Sequence, residues 1–228
     1  MAGEEAPPGA LNLAEYAPAG ARTVDCFRRI RKIGEGTYGE VFEAIDIMTG
    51  ERTALKKIKL DDGKEGVSFM ISTKLMLLFI MSSAHGAGGR GSDDYMYRGD
   101  IYMVFEYMDH DLKKVLHNST PSQVKYYMEQ LLKGLHHCHI NNVLHRDIKG
   151  ANLLISGGKL LKLADFGLAR PFTRDGSFTN HVITLWYRPP ELLLGATNYA
   201  EAVDIWSVGC LFAEFLLRKP LFPGRTEV

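Results

Sequence analysis

The run His145-Arg146-Asp147-Ile148-Lys149-Gly150-Ala151-Asn152, followed by Asp165-Phe166-Gly167, decides the reading of this chain. It offers a candidate proton acceptor in Asp147 and a lysine suited to a phosphate in Lys149. Asn152 and Asp165 are oxygen-bearing side chains suited to magnesium, and all four lie within about twenty residues. His-Arg-Asp alone reads equally well as a salt-bridged turn. The second motif, in the right order and at short spacing, argues against that reading.

Earlier segments fall in a compatible order. Gly34-Glu35-Gly36-Thr37-Tyr38-Gly39-Glu40-Val41 reads G-x-G-x-x-G-x-V. Ile33, Val41 and Phe42 suit two strands joined by a glycine hairpin. Glycines let the backbone approach phosphates and permit positive φ. The same spacing occurs in dinucleotide-binding loops, but such a loop opens a helix, whereas 41–45 continues as a strand pattern. Thr49-Gly50-Glu51 reads as a turn into a further strand, which carries Ala54-Leu55-Lys56. Lys56 is the expected partner of the α- and β-phosphates. Lys57, its neighbour, points to the opposite face and is expected to meet solvent.

On IGEGTYGEVFEA, IYMVFEYMDHDL, HRDIKGANLL, LADFGLAR, VITLWYRPPELLLG and VDIWSVGCLFAE, the chain resembles the cyclin-dependent protein kinases. HRDIKGANLL, YMDHDL and a leader ending RTVDCF are most similar to the plant C-type, transcription-associated members. The resemblance covers roughly 22–66 and 97–224. It implies an α+β, two-lobed kinase fold, with a β-rich N-lobe over 25–107 and a mainly helical C-lobe over 108–228. That C-lobe is expected to be truncated.

The implied activity is transfer of the ATP γ-phosphoryl group to Ser or Thr before Pro, with Mg2+ as cofactor. The implied substrate is the repeat tail of RNA polymerase II, the implied partner a T-type cyclin, and the implied location the nucleus, with cytoplasm open. Asp147 then accepts the hydroxyl proton, Lys149 steadies the γ-phosphate, and Asn152 and Asp165 hold magnesium. Ile33, Gly34, Glu35, Gly36, Gly39, Val41, Ala54, Lys56 and Leu154 belong to the implied ATP site. Phe105 is the implied gatekeeper, Glu106 and Met108 offer backbone bonds to adenine, and Asp111 lies near ribose. Thr179 matches the activating phosphorylation site, with Arg146 and Arg170 gripping its phosphate. Thr37 and Tyr38 match inhibitory sites, Val182 helps form the pocket for proline, and Glu191 and Asp204 are structural anchors. Read from the residues alone, Thr179 also fits an ordinary loop threonine. Thr37 and Tyr38 equally fit a hairpin tip, and Asp204 a helix N-terminus.

Composition is that of ordinary globular material: 228 residues, 46 % hydrophobic and 24 % charged. Lys plus Arg and Asp plus Glu are 27 each, so no basic field argues for direct nucleic-acid binding. Cys26, Cys138 and Cys210 are scattered, which reads as reduced thiols with no zinc site. Leu131, Leu132, Leu135 and Ile140 suggest a helix running into the catalytic loop, against a metal reading of His136, His137 and His139. Residues 1–22, with Pro7, Pro8 and Pro18, read as a disordered leader without a secretory pattern.

The resemblance fails from about 67 to 95. The family places its αC helix there, carrying a glutamate for the lysine equivalent to Lys56 and the cyclin-docking sequence. Here 67–93 holds no acid before Asp93. Glu65 precedes the break, and Asp93 and Asp94 sit in a Gly/Ser-rich stretch. The apolar part of the segment is interrupted by Ser72, Thr73 and Lys74. It falls short of the roughly 20 residues a membrane span needs, so no membrane is implied. The strand that normally precedes Ile101 is also unmatched, and the segment reads as an atypical insert, as from an alternative exon. Three readings stay open: an active cyclin-dependent kinase, a catalytically impaired pseudokinase-like ATP-binding protein, and an unstable truncated isoform. Cyclin docking is in question under all three, because the docking helix is the part replaced.

Overall fold

The computed structural model describes residues 22–36, 39–58, 101–116, 118–173 and 176–227. Readings placed on 1–21, on Thr37 and Tyr38, and on 67–95 lie outside the described residues. The chain divides into two compact units, Met1–Tyr107 and Met108–Val228.

The described part of the first unit is a four-stranded antiparallel sheet in sequential order: β1 (Phe27–Gly36), β2 (Gly39–Asp46), β3 (Arg52–Ile58) and β4 (Ile101–Glu106). Alternation sets its faces. Ala44 and Leu55 are fully buried with Phe27, and Val24, Cys26, Phe42 and Tyr102 pack around them. The β2–β3 turn is built by Asp46, whose carboxylate accepts the backbone N–H groups of Met48 and Thr49. Gly50, at φ 73°, completes the turn in the left-handed region that glycine enters freely.

Asp46 also reaches back to Arg22, which the sequence grouped with the leader: Arg22 donates to both its oxygens, at 2.6 and 2.8 Å. The same guanidinium holds the Asp46 carboxyl well below the usual carboxylate range. Lys57 does lie on the face opposite Lys56, but it is only half-exposed. It shares the side of β3 that carries buried Thr53 and Leu55.

The second unit opens with β5 (His110–Asp111) and α1 (Leu112–Leu116), then α2 (Pro121–Ile140). α2 begins with a reciprocal cap: the Thr120 hydroxyl accepts the Gln123 N–H, and the Gln123 side chain accepts the Thr120 N–H. Pro121 occupies the first turn, where its missing N–H costs nothing. Val124, Tyr127, Met128, Leu131, Leu135 and Cys138 form the buried stripe at helical spacing. Leu132 and Ile140, expected to belong to that stripe, are exposed; at i+1 and i+9 from Leu131 they fall outside the buried arc.

Beyond α2 come β6 (Val143–Leu144), β7 (Leu153–Ser156), β8 (Leu160–Leu163), β9 (Arg170–Pro171), α3 (Pro190–Leu193) and α4 (Ala202–Leu217). β5, β7 and β8 form one small sheet, and β6 pairs with β9. α4 is central. Val208, Leu211 and Phe215 pack with Leu131, Leu135, Leu153 and Ile155. Val203 and Cys210 join Leu144, Phe178, Val182, Ile183 and Tyr199 in a second cluster. Its outer side leaves Phe212 43 % exposed, while Trp206 stacks on Phe222 at 6.1 Å. No helix among the described residues is long and apolar enough to cross a membrane.

Candidate active site

The first unit carries its share of the sequence-selected residues on one sheet. Gly34 lies opposite Val41, and Gly36 opposite Gly39, across β1 and β2. Gly39 has φ 140°, which a side chain rarely tolerates. Register then pairs Val41 with Lys56, and Ala54 with Phe105. Ile33 and Glu35 are exposed on β1, and Glu106 closes β4. The sheet thus brings Gly34, Val41, Ala54, Lys56 and Phe105 onto neighbouring rungs.

In the second unit, Asp111 faces Leu154 across β5 and β7. Asp111 also caps α1 by accepting the Lys114 N–H at 3.0 Å. Met108 is half-buried at the start of this unit. The catalytic-loop residues are held far more tightly. Asp147 is 8 % exposed, and both carboxylate oxygens are engaged. Thr184 donates its hydroxyl to Oδ1 at 2.8 Å, while Asn152 Nδ2 donates to Oδ2 at 2.8 Å. Lys149 Nζ lies 2.9 Å from Oδ2 and donates to the Thr184 hydroxyl at 3.0 Å. Asn152 Nδ2 also reaches the Asp147 carbonyl. Three side chains therefore fix the orientation of one carboxylate.

Asp204 positions the backbone that carries this carboxylate. It is fully buried near the start of α4 and accepts the N–H of His145 at 2.9 Å and of Arg146 at 2.8 Å. His139 Nε2 lies 2.9 Å from the same carboxylate. These bonds hold Arg146 at φ 62°, an uncommon conformation for a non-glycine residue. Asp204 is thus a tertiary anchor, the role the family resemblance implied. Glu191, given the same role there, makes no side-chain hydrogen bond or ion pair among the described residues.

His145 is fully buried against Phe166, with ring centroids 4.8 Å apart. Its Nε2 bonds the Ala164 carbonyl, and its Nδ1 accepts the Asp147 N–H at 3.2 Å. The carbonyl can only accept, so the proton sits on Nε2 and the ring is neutral. Burial pushes the His145 pKa down from its ordinary value. The unfolded ring takes up a proton below about pH 6.5, while the folded ring resists it. Stability from this group is therefore present above that pH and falls as pH drops toward the folded pKa. The expected result is a lower thermal midpoint at pH 5.5 than at pH 7.5, with the imidazole nitrogen shifts of His145 still those of a neutral ring. An early protonation of that ring in the folded protein contradicts this.

Asp165 stands at φ 56° at the start of the Phe166–Leu168 turn. Among the described residues no group of three or more His, Cys, Asp or Glu is placed to hold a metal. Asn152 and Asp165 instead supply a pair of hard oxygen donors. Such a pair fits Mg2+, which keeps several waters and shares its shell with substrate phosphates.

The loop from Gly176 leads away from these residues. Thr179 is exposed, and its carbonyl accepts from the buried Tyr199 hydroxyl at 2.6 Å. That hydroxyl accepts in turn from Arg146 Nη1 at 3.0 Å, and Arg146 Nε bonds the Leu168 carbonyl. Arg170 is exposed, 5.8 Å from the Phe178 ring. Val182 is buried, and Ile183 stands at φ 67° with its carbonyl bonded to Arg188 Nε at 3.1 Å. A β-branched residue there stores on the order of 1–3 kcal/mol of strain.

The protein kinase domain family model matches residues 27–228. Cyclin-dependent kinase C-3 of Oryza sativa subsp. japonica is 84 % identical over the whole chain. This chain is a protein kinase of the cyclin-dependent C type. Cyclin-dependent kinase C-2 and C-1 of Arabidopsis thaliana are each 52 % identical over 96 % of the kinase chain. The chain spans 74 % of the rice C-3 protein but 47 % and 48 % of the two Arabidopsis relatives. By family the chain is a serine/threonine kinase with the α+β kinase fold.

Two residues that complete the kinase site escaped sequence reasoning. Thr184 reaches Asp147 across 37 positions, and Tyr199 reaches Arg146 across 53. The hydroxyl of Thr184 inside VITLW, a stretch otherwise apolar, was the available signal for the first. Nothing local marked the second.

Proposed function

We propose that this kinase transfers the γ-phosphoryl group of ATP to Ser or Thr followed by Pro. On this reading its substrate is the repeat tail of RNA polymerase II, its activator a T-type cyclin and its location the nucleus. The single observation that carries the reading is the Asp147 carboxylate, fixed by Thr184, Asn152 and Lys149. A carboxylate so held takes the proton of an incoming hydroxyl without first reorganising. Lys149 spends two of its three N–H groups on Asp147 and Thr184, leaving one for a γ-phosphate oxygen. Asn152 and Asp165 would hold magnesium, which when bound would supply charge neutralisation at the phosphates. Lys56 and the glycine-rich strands are the nucleotide contacts of the first unit. Thr179, exposed and near Arg146, is the proposed activating phosphorylation site.

Proline direction rests on Ile183. Its carbonyl is taken by Arg188 and has no need of a substrate N–H. A residue after Ser or Thr that brings an N–H to this wall leaves it unpaired, at about 1–3 kcal/mol. Proline brings none. The C-type relatives are cyclin-dependent by name, which supports a cyclin partner; their tail substrate and the T-type cyclin follow from the family resemblance. A reading as an ATP-binding protein without turnover is favoured by one sequence observation: 67–93, where the family carries its αC glutamate, holds no glutamate.

The test is transfer of label from γ-labelled ATP to paired Ser-Pro and Ser-Ala repeat peptides, with a T-type cyclin present. The expected preference for Ser-Pro is roughly 5- to 150-fold, the unpaired N–H cost converted to a rate ratio. Equal labelling contradicts proline direction alone. Nucleotide binding without labelling supports the impaired reading.

A further inference from the structure

Arg188 does not stand alone at the Ile183 carbonyl. Its Nε bonds that carbonyl at 3.1 Å, while its Nη1 pairs with the carboxylate of Glu227. The same carboxylate lies 3.6 Å from His181 Nδ1, at the other end of the loop. A guanidinium is planar and rigid, so fixing one edge fixes the direction of the other. The side chain of Arg188 is 12 % exposed and that of Glu227 43 %. The pair thus sits at the surface with its arginine side covered.

The segment bearing Glu227 is itself pinned at two earlier points. Phe222 stacks on Trp206 with an interplanar angle of 10°, and the Gly224 carbonyl accepts Trp186 Nε1 at 2.9 Å. Trp186 and Arg188 both belong to the loop that follows Ile183. The segment therefore runs beside this loop with its carboxylate on the arginine that holds the left-handed Ile183. Arg188, foremost among its neighbours, keeps the Glu227 carboxyl below its ordinary pKa, as a lasting ion pair requires.

We propose that Glu227 is a specificity-determining residue: by clamping Arg188 it keeps the Ile183 carbonyl occupied and so enforces proline after the phosphorylated Ser or Thr. This rests on the proline-directed reading above. Glu227 acts through Arg188 and is a positioning residue. With Glu227 neutralised, Arg188 releases the carbonyl part of the time, and the carbonyl becomes available to a substrate N–H. Tolerance of alanine at that position rises, while the loop stays folded around Val182, Tyr187 and Ser207.

The experiment compares kcat/KM for Ser-Pro and Ser-Ala peptides in the chain with its cyclin, for wild type, Glu227→Gln and Arg188→Lys. Glu227→Gln is expected to lower the Pro/Ala ratio about two- to fivefold, the scale of a partly exposed ion pair. Arg188→Lys, which cannot serve both partners at once, is expected to lower it further. In wild type the ratio should decline as salt rises toward 0.5 M, whereas in Glu227→Gln it should hardly respond. Far-UV circular dichroism confirms that each variant is folded. A ratio unchanged in Glu227→Gln but reduced in Arg188→Lys overturns the role of Glu227 and leaves proline direction standing. Absence of turnover with every peptide overturns the kinase reading, and this proposal with it.

Discussion

Replacing Asp147 by Asn is expected to lower the rate of phosphoryl transfer about 10²–10⁴-fold while leaving nucleotide binding in place. The range is that of losing a positioned general base. The substitution keeps the shape of the side chain, and the Thr184 hydroxyl still finds an oxygen to donate to. The amide nitrogen, however, cannot accept a proton from a substrate hydroxyl at neutral pH. It also turns N–H groups toward Lys149 and Asn152, both of which donate to the carboxylate. Metal and nucleotide contacts are assigned to other side chains, so the KM for ATP should change little. Rapid-quench measurement of the transfer step, alongside a nucleotide titration, separates the two quantities. A loss below tenfold would mean that Asp147 is a loop anchor and that another group handles the proton.

The second large effect is on stability. Asp204→Ala removes the acceptor for two buried backbone N–H groups and for His139. Each unpaired buried donor costs about 1–3 kcal/mol. Breaking a buried charged network commonly costs about 3–5 kcal/mol in all, against a total domain stability of about 5–15 kcal/mol. The expected fall in thermal midpoint is roughly 6–20 °C for a chain of this size. Arg146 loses the bond that supports its left-handed backbone, so the turn into Asp147 loosens even where the fold survives. Asp204→Asn, which retains one carboxamide oxygen, should fall between the two. A shift under about 2 °C would show that these N–H groups find other partners.

What could be seen in the sequence follows the distances over which residues act. The grouping of Asp147, Lys149 and Asn152 was legible because one loop carries all three. The glycine hairpin and the strand bearing Lys56 were legible from β-branched residues and glycine placement, while the pairing of Ala54 with Phe105 came only from the structure. The contacts of Thr184 and Tyr199 were not legible, because each acts across a long loop closure, and only Thr184 lay in a recognised stretch. Ile183 was hidden for a different reason. A β-branched residue is the last choice for positive φ, and only the surrounding bonds hold it there. Leu132 and Ile140 were overcounted because apolar residues on an exposed helix face are common. The ordered placement of Arg22 depended on Asp46, 24 positions away, which composition cannot show.

The proposed activity requires that the folded chain bind Mg2+–ATP. Thermal unfolding of the purified chain with Mg2+–ATP, with ATP plus chelator, and with neither tests it most directly. The account predicts a cooperative transition that rises with Mg2+–ATP, by about 2.7 kcal/mol at 100 times the Kd. It also predicts a smaller rise once magnesium is chelated. A cooperative transition indifferent to Mg2+–ATP, or no cooperative transition at all, would contradict it.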